Sequence, residues 1–150
     1  MIFKDELCQR VLDGTKTQTR RLVKDGDFSV KWPMTCVFRN DRLLWRENQT
    51  YAVQPGRGKK AVGRIGIIKI RREKLQEISY EDIGAEGITR IFPVPINTAY
   101  LLTGAKDYDE LKQILFRAEF SGLWDSIHPK GKRWTDNPEV FVLEFELVKD

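Results

Sequence analysis

The corner Gly14-Thr15-Lys16-Thr17-Gln18-Thr19-Arg20-Arg21 decides how the rest of the chain is read. It holds no bulky apolar residue and presents two guanidiniums, one ammonium and three hydroxyls in eight positions. Glycine at its head suits a helix stop, because the residue after a helix often needs a positive φ that only Gly adopts cheaply. The threonine-rich sequence beyond favours extended backbone. A dense set of hydrogen-bond donors is thereby delivered where a helix gives way to a strand, and where backbone is free to meet a ligand. A solvated basic turn is the plain alternative.

Working outward, Phe3, Leu7, Cys8, Val11 and Leu12 form the stripe of a helix over residues 3–13 with one buried face. Asp25-Gly26-Asp27 ends the strand begun at Thr19. Trp32-Pro33 through Trp45 reads as a hairpin with Asn40-Asp41 as its turn pair, and Tyr51-Ala52-Val53 as a further extended piece. Ala61 to Arg72, dense in Val and Ile, is the strongest central strand. Ser79-Tyr80-Glu81-Asp82 opens a short helix with a capping box, and Gly87 suits its stop. Residues 88–106 carry Pro93, Pro95, Asn97 and Gly104 without a clean period, and read as an irregular insertion placed to cover a pocket. A second long helix runs from Asp107 to near Ile127. Phe141, Leu143, Phe145 and Leu147 then alternate with Val142, Glu144, Glu146 and Val148, the period-two pattern of a strand with one buried face.

A chain of 150 residues with 41% hydrophobic and 32% charged content reads as one globular domain spanning 1–150. No apolar run approaches the ~20 residues of a membrane span. Lys4, Asp5 and Glu6 stand where a signal peptide would place apolar residues, so a cytoplasmic protein is expected. Cys8 and Cys36 are far apart and His128 is the one histidine, so no metal site, disulfide scaffold or cofactor is expected. The net charge of +4 hides an asymmetry: residues 1–74 carry 18 Lys and Arg against 8 Asp and Glu, whereas 75–150 carry 8 against 14. A basic half of this size suggests an anionic partner, with nucleic acid first in line. Its densest part is Gln54-Pro55-Gly56-Arg57-Gly58-Lys59-Lys60 and the strand that follows. That loop lacks the Gly-Lys-Ser/Thr ending of a P-loop, which leaves phosphate contact by Arg57, Lys59 and Lys60, or a solvated hairpin tip.

Gly14, Lys16, Thr19 and Arg21 also make the spacing G-x-K-x-x-T-x-R, which resembles the signature of the ASCH domain, a small β-barrel related to the PUA fold of RNA-binding proteins. Leu75, Ile78, Glu86 and Gly87 are similar to what ASCH domains carry after their central strand. Trp134, Asn137, Pro138, Val140 and Glu144-Phe145 resemble the closing motif of a larger bacterial and phage-borne ASCH group. That group is matched again at 54–58 and at Leu123-Trp124-Asp125-Ser126-Ile127. The resemblance covers most of the chain and is thinnest over 88–106. Sequence pattern alone supports a mixed α+β fold. The resemblance implies a partly open PUA-like barrel of about five or six strands with two or three flanking helices.

With Thr19 and Arg21 on one side of a strand and Lys16 across the bend, a hydroxyl, an ammonium and a guanidinium suit a phosphate, a carboxylate or a base carbonyl. The resulting expectation is a domain that recognises RNA or a modified nucleoside. Its pocket is at Lys16, Thr19 and Arg21, flanked by Gly14 and Arg20, and its basic surface lies around Arg57, Lys59 and Lys60. Among the tryptophans, Trp134 is the one expected to touch ligand, since it lies beside the irregular loop 128–136. Small ASCH proteins imply an enzymatic alternative, a metal-independent amidohydrolase acting on an acylated nucleoside such as N4-acetylcytidine. There Lys16 would be the base, Thr19 the nucleophile and Glu86 the assisting carboxylate, with Glu81 a rival for that last role. Such chemistry requires Lys16 to lose its proton near neutral pH. Ribonuclease action is a third reading, and would need His128 to reach the pocket. The sequence leaves the oligomeric state open.

Overall fold

A computed structural model describes residues 1–31, 33–88 and 94–149. Trp32, a possible base-stacking residue, and Pro93 lie outside the described residues. Among the described residues there are four α-helices, α1 (Asp5–Leu12), α2 (Tyr80–Ala85), α3 (Ile96–Thr103) and α4 (Tyr108–Ile127). Seven strands accompany them: β1 (Gln18–Leu22), β2 (Asp27–Lys31), β3 (Thr35–Arg39), β4 (Arg42–Arg46), β5 (Thr50–Val53), β6 (Gly63–Lys74) and β7 (Glu139–Leu147). The fold is α+β, as the sequence pattern requires.

The strands form two antiparallel sheets, one of order β1-β7-β6-β5 and one of order β2-β3-β4. The smaller sheet is a meander. Its second turn, Asn40-Asp41, has φ of 49° and 68°, the left-handed pair that matches the twist of a two-residue hairpin. Its first strand, β2, is absent from the sequence reading because little of it is buried: Phe28 and Val30 stay over 40% exposed, and Phe28 stacks on Phe38 at 5.3 Å. The two sheets meet where Val37 joins Ile67, Ile70, Phe141 and Leu143 in one apolar cluster.

The strand β7 is central, and its alternation conceals a second buried face. Phe141, Leu143 and Phe145 pack toward β3 and α1, while Val140 and Val142 are also fully buried, against Leu75, Phe120 and Trp124. Only Glu144 and Glu146 made the outer face look solvated. In β6 a bulge between Ile67 and Lys69 leaves Ile68 exposed and keeps Ile65, Ile67 and Ile70 inward. Within the stretch 88–106 read as an irregular insertion, Ile96–Thr103 is helical, ending at Gly104 with φ 70°. Leu101 and Leu102 are exposed there, so no apolar stripe betrays the helix.

Burial on both faces of β7 has a direct test. Val142→Thr would place a hydroxyl among apolar side chains and is expected to cost about 1–3 kcal/mol in urea unfolding. A neutral result would mean that Val142 faces water, as the alternation alone implies.

Candidate functional site

The site begins at the end of α1. Gly14 has φ 85° and its N–H donates to the Val11 carbonyl at 3.2 Å, so the chain reverses there as expected of a helix stop. The next residues dock on the C-terminus of α2, whose last carbonyls have no helical partner. Thr17 N–H donates to the Ala85 carbonyl at 2.7 Å, Lys16 Nζ donates to the Glu86 carbonyl at 2.9 Å, and Arg10 donates to the Gly87 carbonyl. Gly87, at φ 96°, closes the helix so tightly that a Cβ there would lie 3.2 Å from both Lys16 Cβ and Arg10 Cδ.

Glu86 is the hub. Its Oε1 accepts from Lys16 Nζ at 2.9 Å and its Oε2 from Arg20 Nη1 at 2.9 Å, with all three side chains 7% exposed or less. Glu81, the rival carboxylate, is exposed on the outer side of α2. Arg20 points to the opposite face of β1 from Thr19 and Arg21. There it also meets Glu73 at 2.8 Å, Asp82 at 3.3 Å and Gln18 at 3.1 Å. Asp82 and Glu144 are joined in turn by Arg71, at 2.5 and 3.0 Å. This network fixes α2 to the sheet through the two terminal nitrogens of Arg20, while its Nε is buried without a partner among the described residues.

Burial pushes the Lys16 ammonium below its ordinary pKa of 10.5. The Glu86 charge and hydrogen bond oppose the shift, and Arg21 and Arg20 add to it. Arg21 donates to the Ile2 carbonyl at 2.9 Å and lies over the Phe3 ring at 5.2 Å. Its Nε is buried without a partner among the described residues. Thr19 is 6% exposed, and its hydroxyl forms no hydrogen bond to another described residue.

These residues line one cavity of about 830 Å³. Lys16, Thr19, Arg20, Arg21 and Glu86 contribute one wall, and Phe3 and Leu7 of the N-terminal segment another. Trp45 enters from β4, and Phe120, Trp124 and His128 from α4 and its end. His128 stacks on Trp124 with ring centroids 3.7 Å apart, and its Nδ1 lies 2.9 Å from the Trp124 carbonyl oxygen. That contact makes Nδ1 the proton-bearing nitrogen and leaves Nε2 as acceptor in the neutral ring. Burial lowers the His128 pKa.

The structure therefore gathers Lys16, Thr19, Arg20, Arg21 and Glu86 at one place. Gly14 stands outside the lining and serves the turn. Arg57, Lys59 and Lys60 are exposed on the β5–β6 loop, away from the cavity. Trp134 is likewise outside it, packed edge-on against Phe120 and under Arg117. The aromatic lining comes from Trp45 and Trp124 instead. The spacing of four between Trp124 and His128, one turn of α4, was the available signal. Among the described residues no group of three or more His, Cys, Asp or Glu could hold a metal ion, and no helix is long and apolar enough to cross a membrane.

No protein-family model matches the chain, and neither does any curated protein. Solved structures do. A DUF984-family protein of Enterococcus faecalis V583 aligns over 95% of this chain and 67% of its own, at 16% identity and TM-score 0.56. The two share a fold. An ASCH domain from Lactobacillus crispatus JV V101 aligns over 95% of this chain and 70% of its own, at 13% identity and TM-score 0.49.

Two outcomes follow from the buried charges. Glu86→Gln leaves the buried Lys16 ammonium without an ion partner, while Arg20 keeps Glu73 and Asp82, and is expected to cost about 3–5 kcal/mol; a loss under about 1 kcal/mol would mean the pair is effectively solvated. For Lys16, a depressed folded pKa means the unfolded chain holds more protons between that value and 10.5, so stability rises with pH across the window. The stability of the wild type relative to Lys16→Met should accordingly grow as pH rises toward 10.5. A flat difference in urea midpoints would contradict the shift.

Proposed function

We propose that this is an ASCH/PUA-like domain that recognises a modified nucleoside, free or within RNA, in the cavity beside Lys16, Thr19 and Glu86. The observation that carries the reading is a free Thr19 hydroxyl and a half-used Arg21 guanidinium in an aromatic-lined cavity of about 830 Å³. Trp45, Trp124 and Phe3 suit a flat base, and Thr19 and Arg21 suit its carbonyl and exocyclic groups. The exposed cations Arg57, Lys59 and Lys60 then serve as a separate, sequence-blind contact for RNA phosphates.

The Lys16–Glu86 pair favours a second reading, hydrolysis of an acylated nucleoside such as N4-acetylcytidine. A lysine buried in a binding wall is costly unless its proton is used, and burial shifts Lys16 in the direction a base needs. In that reaction the Thr19 hydroxyl oxygen attacks the acetyl carbonyl and its proton passes to Lys16. The C–N bond breaks and the exocyclic amine leaves with that proton. Water then cleaves the acyl-threonine to acetate. Glu86 holds the Lys16 ammonium in place between the proton transfers.

Titration with N4-acetylcytidine, followed by absorbance, separates the readings. Saturable binding without turnover supports recognition alone, and turnover lost in both Lys16→Met and Thr19→Val supports hydrolysis. Neither binding nor turnover by folded protein would remove the acylated nucleoside from both.

A further inference from the structure

Among the described residues the two sheets end in four edge strands, and three of them are guarded. The strand β1 is buried at Gln18, Thr19 and Arg20. The strand β5 is covered by the N-terminal segment, where the Met1 nitrogen donates to the Ala52 carbonyl and Gln54 N–H donates to the Met1 carbonyl at 2.9 Å. The strand β4 carries exposed Arg42 and Arg46 at its two ends, and cations on an edge deter a second strand.

The fourth edge, β2, has no such guard. It pairs with β3 alone, and Phe28, Ser29, Val30 and Lys31 are all exposed. Asn40 N–H donates to the Gly26 carbonyl, which extends the β2–β3 ladder by one pair. Hydrogen-bonded pairs alternate along an antiparallel ladder, so Phe28 and Val30 spend their backbone groups on β3. Ser29 and Lys31 therefore turn N–H and C=O outward. On the outer face of the sheet Phe28, Phe38 and Leu43 form one row, since Phe38 is the register partner of both others. Phe28 and Leu43 are each 42% exposed and Val30 is 46% exposed.

What fits this edge is the edge itself. Residues 27–31 read Asp-Phe-Ser-Val-Lys. Laid antiparallel on a second copy about Ser29, they set Phe28 opposite Val30 and Asp27 opposite Lys31 on both sides of the axis. Ser29 exchanges its backbone bonds with its counterpart, and each Lys31 N–H reaches the Asp27 carbonyl of the other copy. Phe28 and Val30 then form a non-hydrogen-bonded pair, the kind whose side chains approach more closely. Only this register sets both charges against their opposites. Sliding it by four residues would set Asp27 or Lys31 against itself, and the same turn on β4 would set Arg42 against Arg46. Asp27 keeps its own Arg39 at 2.7 Å, so the charges fix the register rather than the affinity.

We propose that two copies of this chain associate through β2, joining their three-stranded sheets into one continuous sheet about a two-fold axis at Ser29. A strand of five residues is about 17 Å long at ~3.3 Å per residue. A contact this short buries less than the ~1,200 Å² of a stable complex, so the dimer exchanges with monomer.

Analytical ultracentrifugation of the full chain from about 1 µM to about 1 mM spans the affinities of such a dimer. Wild type should pass from monomer to dimer across that range. Ser29→Pro removes an outward N–H, which an edge strand tolerates, and Val30→Glu places a carboxylate opposite Phe28. Each should raise the dissociation constant about tenfold or more with the circular dichroism unchanged. Leu43→Glu, as exposed on the same face but two strands from the edge, should leave it unchanged. Wild type that stays monomeric throughout overturns the proposal, as does a dimer that survives both β2 variants. Equal loss in Leu43→Glu would mean that the copies stack face to face, and overturns pairing by the edge.

Discussion

The carboxylate of Glu86, divided between Lys16 and Arg20, is the interaction on which the rest of the site depends. Its two oxygens join segments that sequence keeps far apart: the turn after α1, the edge strand β1 and the end of α2. All three side chains are buried and Glu86 is the one ion partner of Lys16 among the described residues, so its loss would strand a charge, and the shared carboxylate holds the three elements in one arrangement. Hydrogen bonds from the Thr17 N–H and from the Lys16 and Arg10 side chains to the carbonyls at the end of α2 reinforce the same joint. A short helix of six residues could not hold its place by propensity alone.

This joint also divides labour across β1. Residues on one face, Gln18 and Arg20, enter the charged network with Asp82, Glu73 and Glu144, and are spent on structure. Residues on the other face, Thr19 and Arg21, keep polar atoms free and face a cavity. The strand itself is terminal in its sheet, pairing with β7 alone, and is covered at Gln18, Thr19 and Arg20, which are all buried.

Much of this was legible in residues, for reasons that differ by element. The helix stop at Gly14, the strand after it and the capping box at Ser79 depend on local backbone chemistry, and each falls where the sequence places it. Lys16 and Glu86 form an ion pair, and Thr19 lines the same cavity, though no local rule of sequence connects these positions. What stayed hidden is long-range or nearly unburied. The strand β2 shows little burial to betray it, α3 exposes its leucines, and the second face of β7 was disguised by two glutamates at its end. Trp134 and Trp124 could not be told apart by sequence, since each lies near an irregular loop; in the structure both pack in the same apolar cluster, and Trp124, the more buried, also lines the cavity. The partition of the strands into two sheets is likewise a matter of tertiary pairing.

The measurement that bears most directly on this account is NMR of protein with isotope-labelled lysine side chains, titrated with N4-acetylcytidine. The Lys16 signal, displaced from the others by its burial, should move saturably while those of Lys59 and Lys60 remain where they are. Movement at Lys59 and Lys60 with Lys16 unchanged would place the ligand on the β5–β6 loop and contradict the assignment of the cavity as the binding site.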